Sequence, residues 1–248
     1  MAANIPEVRE TSPPPQGRAY SLAAPRRIGL RDVWRLVTRW VASSPGTHIW
    51  LAILVVTTCV AAVLSPHLRS YLLHSVSTNL VELHRHPVRV LIASALWIQT
   101  PSGFAFYAVL FEVVHATAER WLGTARWLLV VAAAHIGATL LSQRAVFFDI
   151  RDARLPHSLA HTIDIGVSYG IAGIIGVLAY RVPWPWRWGY LALVLGFFTY
   201  PVVSDGSTFS DLGHLAAVLI GLCCYGLTPQ ERTAGAAPPR SHPRRWMW

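Results

Sequence analysis

The chain has 248 residues, of which 53% are hydrophobic and only 13% charged. A soluble domain carries roughly one quarter charged residues, so a water-soluble globule is excluded. The formal charge of +9 rests on 21 basic residues, all Arg. They gather at the ends of apolar runs, which speaks for membrane orientation rather than nucleic-acid binding.

Residues 1–27 are polar and Pro-rich, with Ser12-Pro13-Pro14-Pro15, and predict a disordered tail rather than a cleaved signal. In 28–44, Leu30, Val33, Trp34, Val37 and Val41 recur at helical spacing, with Arg31, Arg35 and Arg39 on another face. That pattern predicts an amphipathic helix on the inner leaflet, or a basic extension of the first span. Six stretches free of Arg, Asp and Glu follow, at 40–68, 90–111, 127–143, 165–180, 188–204 and 212–230. Each is close to the ~17–25 residues a crossing helix needs. The fold class is therefore all-α, a polytopic membrane protein of six transmembrane helices over 45–228, with a disordered tail at 229–248. The tails and the second and fourth loops hold fifteen Arg, the first and third loops six. The positive-inside rule then places both termini in the cytoplasm, in a plasma-membrane protein whose first partner is the lipid bilayer. Cys59, Cys223 and Cys224 lie in apolar stretches and read as packing residues.

Ionisable or nucleophilic groups within spans mark function first. Span four opens with Asp164-Ile-Gly-Val-Ser-Tyr-Gly170 and span six with Ser210-Asp-Leu-Gly-His214. Ser168 and His214 each fall about five residues into their stretches, at a matched depth on the order of 7 Å. Gly166 and Gly170 form one small-residue ridge, and Gly213, Ala217 and Gly221 another. Such ridges let helices approach closely in lipid, so spans four and six are expected to meet through Gly166/Gly170 and Gly213/Ala217. Histidine can then act as base toward a serine otherwise weak as a nucleophile. Asp211, one turn before His214, is a helix-capping residue or the third member of a triad. Glu112 reads as a structural hydrogen-bonding group. His157 and His161 share a face only if their segment is helical, and no third ligand accompanies them, so no metal is implied.

Gly166-Val-Ser168 on span four, with His214 followed by Ala217 and Gly221 on span six, resembles the rhomboid intramembrane serine proteases. Glu119-Arg-Trp-Leu-Gly123-Thr124 is similar to the rhomboid stretch in which Glu precedes Leu-Gly-Ser. Val88-Arg89 is similar to the Trp-Arg of the first rhomboid loop. The resemblance spans about 45–228 and implies a Ser168 nucleophile and a His214 base, acting without cofactor on transmembrane protein segments. It implies a lateral gate at span five, with Phe197 and Phe198, and structural roles for Arg89, Glu119, Gly123, Gly170, Ala217 and Gly221. Gly166 and Asp211 are candidate supports of the site. The family's His-x-x-x-Asn falls at Gly103 and Tyr107, which leaves only Tyr107 as a side-chain oxyanion donor there. Tyr169 stands where Gly usually follows the serine, and Ala172 where an aromatic often sits. A catalytically inactive rhomboid-like protein that binds transmembrane helices of clients is the alternative.

Overall fold

The structure, a computed structural model, describes residues 29–229. The predicted disordered tails lie outside the described residues, Pro229 apart. The chain divides into two units, residues 1–38 and 39–248. In the first, residues 30–38 form the greater part of helix α1 (Leu30–Ala42), where Leu30 and Trp34 are exposed and the Thr38 hydroxyl donates to the Trp34 carbonyl at 3.0 Å.

The second unit is all-α among the described residues. Its helices are α2 (Pro45–Val63), α3 (Pro66–Val76), α4 (Leu80–Arg85), α5 (Pro87–Ser94), α6 (Phe104–Leu110), α7 (Ala116–Leu122), α8 (Thr124–Arg151), α9 (Val167–Leu178), α10 (Trp186–Val203) and α11 (Phe209–Cys223). Proline opens α2, α3 and α5, where its missing N–H costs nothing. By length and hydropathy Pro45–Val63, Thr124–Arg151 and Phe209–Leu227 suffice to cross a membrane, and Val167–Arg181 is a shorter apolar helix. Large apolar side chains such as Val56, Leu129, Leu141, Leu193 and Phe197 are exposed on the bundle's exterior. A lipid-facing surface has this character, whereas soluble monomers rarely expose large apolar patches.

The second span lies elsewhere than the uncharged stretch 90–111 suggests. Residues 95–103 break the helix, and one continuous helical run occupies 104–122: α6, a π-helical turn over Phe111–His115, and α7. The criterion of no charge failed here because the helix buries its own polar groups. Glu119 is 2% exposed, yet its carboxylate accepts from the Gly46 and Thr47 amides at 2.8 and 2.7 Å and from the Thr47 and Thr124 hydroxyls at 2.6 and 2.7 Å. It thereby caps the N-terminus of α2 and ties it to the start of α8, with Gly123 at φ +82 turning the chain between α7 and α8. Glu112 faces His48 Nε2 at 3.4 Å, and fully buried His115 accepts from Trp127 Nε1 at 3.1 Å. In the first loop Arg89 donates to Glu82 at 2.7 Å and to the Ser75 carbonyl at 3.4 Å, holding α3, α4 and α5 together.

Helices α8, α9 and α11 pack against one another to form the centre of the bundle, and α10 lies against α11. Spans four and six meet as expected, on the span-six side through Gly213 against Tyr169 and through Ala217, but on the span-four side through other glycines. A Cβ on Gly173 would collide with Ala134, one on Gly176 with the Val218 carbonyl, and one on Gly221 with the Gly173 carbonyl. Ala217 keeps its place at this seam, its carbonyl 3.4 Å from a Cβ at Gly173. Gly170 instead faces Trp50 and Val131, and Gly166 seats the His135 imidazole. Gly166 lies before the first turn of α9, and within the helix it is Gly173 and Gly176, not Gly170, that share the face turned to α11.

Candidate active site

Gly166 is the N-cap of α9, and Ser168 is the second residue of the helix rather than about the fifth. The loop before it is fastened on two sides. His135 on α8 donates from Nδ1 to the Gly166 carbonyl at 3.1 Å or from Nε2 to the Leu91 carbonyl at 2.7 Å, according to its tautomer. Asp164 donates its amide to Ser77 Oγ at 2.7 Å and accepts the Thr78 amide on its carbonyl at 3.0 Å. This anchoring brings Ser168 out of α9 toward α11, where His214 Nε2 stands 2.9 Å from Ser168 Oγ. With Nε2 as acceptor the hydroxyl donates, and the imidazole proton then sits on Nδ1.

Both residues line a cavity of about 640 Å³. Phe106, Tyr107 and Leu110 of α6 form one wall, Phe197, Phe198 and Pro201 of α10 another, and Ile171, Ala172 and Ile175 of α9 the apolar floor. Polar groups at the cavity are few: Gln99, Tyr107, Asp164, Ser210 and Asp211 join Ser168 and His214. The amides of Val167 and Ser168 occupy the first two positions of α9, where no intrahelical carbonyl is available. Neither donates to a carbonyl among the described residues. A hydroxyl bonded to an imidazole, with free helix N-terminal amides alongside, can attack a carbonyl and stabilise the oxyanion that forms.

The family whose description is "rhomboid-like protein" matches residues 39–234. The chain belongs to the rhomboid-like protein family. No curated protein and no solved structure matches it. The family match covers the whole helical bundle of this rhomboid-like protein, from the end of α1 past α11, and accords with its all-α polytopic architecture.

Within this rhomboid-like protein, sequence-level expectations meet the geometry unevenly. Asp211 is spoken for. Its carboxylate accepts the Thr208 amide at 2.8 Å and the Thr208 hydroxyl at 2.7 Å, and its amide donates back to Thr208 Oγ1 at 3.3 Å, a reciprocal capping box. The cap itself is Thr208, three residues before Asp211. Tyr107 lines the cavity, whereas Gly103 is absent from its walls. His157 and His161 fall in a 3-10 turn, whose three-residue repeat takes i and i+4 off a common face.

Three residues had no place in the sequence reading of the site: Tyr169, His135 and Gln99. Tyr169, taken there only as the replacement of a glycine, packs edge-on against His214 with ring centroids 5.1 Å apart. It supplies an aromatic neighbour that Ala172 cannot. Phe198 flanks the same imidazole at 6.3 Å. His135 left a signal, an ionisable group in the middle of an apolar stretch, that could have singled it out. Gln99 was hidden inside the stretch read as one helix; the following Thr100-Pro101-Ser102-Gly103 is the helix-breaking signal that could have exposed it.

Proposed function

We propose that this rhomboid-like protein is an intramembrane serine endopeptidase with Ser168 as nucleophile and His214 as general base. The observation that carries the reading is the 2.9 Å contact between Ser168 Oγ and His214 Nε2 at the head of an apolar cavity. Ser168 Oγ attacks the scissile carbonyl of a transmembrane segment, and its proton passes to His214 Nε2. His214 then delivers that proton to the leaving amine, and water resolves the acyl-enzyme by the reverse sequence. The Ser168 and Val167 amides receive the oxyanion, with Tyr107 and Gln99 as the side-chain donors in reach of the cavity. The substrate enters between α6 and α10. Helix α10 suits a gate because Val194 is its one buried residue among those described. No metal or organic cofactor takes part in this scheme.

In this reading the bilayer is the working environment and the plasma membrane the site, and the Arg distribution supports the cytoplasm as the side of both termini. The exposed apolar and Arg-bearing faces of α1 suit an inner-leaflet helix. A second reading, a non-catalytic binder of client transmembrane helices, draws on Gly103, which offers no oxyanion donor where the family usually places His. The deciding experiment is labelling of the purified protein with a fluorophosphonate. Labelling that disappears in Ser168→Ala supports the protease; a folded wild type that never labels favours the binder.

A further inference from the structure

Asp164 is a carboxylate with 4% of its surface exposed, four residues before Ser168. Burying an ion is costly unless donors surround it. Here three side chains from three elements supply them. Gln143 Nε2 donates from α8 at 3.1 Å and the Tyr169 hydroxyl from α9 at 3.0 Å, while Thr78 Oγ1, in the α3–α4 loop, shares its one proton between the carboxylate at 3.2 Å and the Asp164 carbonyl at 3.1 Å. Packing alone does not call for a charge at this place, since the backbone of Asp164 already ties the loop to Ser77 and Thr78.

The Tyr169 contact leads to His214. Tyr169 is fully buried, and its ring rests on Gly213, where a Cβ would come within 2.7 Å of the ring carbons and the hydroxyl. The hydroxyl end of the phenol is thus held between the Asp164 carboxylate and the α11 backbone at Gly213. The ring packs edge-on against His214 at 66°, with Phe198 on another side of the imidazole and Ser168 Oγ at Nε2. Asp211 cannot perform this service, being committed to Thr208.

We infer that Asp164 is a positioning residue which, through the Tyr169 hydroxyl and ring, holds the His214 imidazole in line with Ser168. The inference rests on the reading of Ser168 and His214 as nucleophile and base. Asp164 is not itself in contact with either reacting atom. It works by fixing Tyr169, much as a triad carboxylate fixes a histidine, but with an aromatic ring interposed.

The test is fluorophosphonate inactivation kinetics of the full chain in detergent micelles. Tyr169→Phe deletes only the hydroxyl, and Asp164→Asn keeps volume while removing charge. Thr47→Val, which loosens Glu119 at the far end of the bundle, controls for general destabilisation. In each of the first two variants the limiting inactivation rate is expected to fall about tenfold, a modest misplacement of a reacting group. The half-saturating probe concentration should stay put, and the double variant should be no slower than the slower single one. Thr47→Val should lower the melting temperature and leave the rate alone. Wild-type rates in Tyr169→Phe and Asp164→Asn, a change confined to half-saturation, or an equal loss in Thr47→Val would each overturn the inference.

A wild type that does not label defeats the protease reading instead, and the positioning is then read from the His214 ring signals of isotope-labelled protein, assigned with His214→Gln. Phe keeps the ring current of Tyr, so a displaced His214 signal in Tyr169→Phe and Asp164→Asn, with none in Thr47→Val, upholds the contact. Unmoved signals overturn it.

Discussion

Gly221 on α11 lies directly against the backbone of Gly173 on α9: a Cβ at 221 would overlap the Gly173 carbonyl. This contact sets the separation of the two helices that carry Ser168 and His214. Gly221→Val must therefore push them apart. Overpacking of this kind costs about 1–3 kcal/mol and sometimes more, and a thermal unfolding scan in micelles should show the upper end of that range. Fluorophosphonate labelling should fall with it. Gly189→Ala, at a position with open space around it, is the matched control and should leave both unchanged.

Glu119 gathers four donors from α2 and α8 onto one carboxylate. Glu119→Gln keeps the shape but removes the charge and turns one acceptor oxygen into a donor facing other donors. Bonds to a charged group contribute about 1.5–3 kcal/mol each, so a loss of roughly 3 kcal/mol is expected in denaturant or thermal unfolding. Ser168 probe reactivity of the fraction still folded should persist, because the site lies at the other end of the bundle.

Ser168→Ala and His214→Ala should each abolish cleavage of a helical membrane substrate, and the double variant should be no worse than either. That non-additivity is expected of the proposed pair because a nucleophile and its base act as one unit. Activities that multiply in the double variant would show that the two residues work separately.

Asp211→Asn should cost about 1 kcal/mol of stability through the weakened capping box. Its rate of probe labelling should stay within about threefold of wild type, far above the loss from removing a triad carboxylate. A drop of several orders of magnitude would restore Asp211 to the catalytic unit.

Reporter fusions in the loop around Arg151 and at the C-terminus should report opposite sides of the membrane, with the C-terminus cytoplasmic. The expectation follows from fifteen Arg on one side against six on the other. An exported C-terminus would invert the bundle and the side from which the cavity is reached.

Much of this architecture was legible in the sequence because the bilayer imposes a one-dimensional rule: an uncharged stretch of sufficient length becomes a helix. That rule located α9 and α10 to within two residues and the middles of α2, α8 and α11, whose ends differ from their stretches by three to eight residues. It misplaced the second span because hydropathy counts charges without seeing their partners. Glu119 is invisible as an interior residue until Gly46, Thr47 and Thr124 are brought to it from other helices.

By itself the sequence determined the all-α polytopic class, the Arg asymmetry and the candidacy of Ser168 and His214, since each depends on residue type and local spacing. Only the tertiary structure decided which glycines make the α9–α11 seam, that Asp211 serves Thr208, and that Tyr169 links buried Asp164 to His214. Those outcomes depend on the rotation of each helix about its axis. Rotation is set by contacts such as His135 against Gly166 and Gly221 against Gly173, between residues 31 and 48 positions apart along the chain.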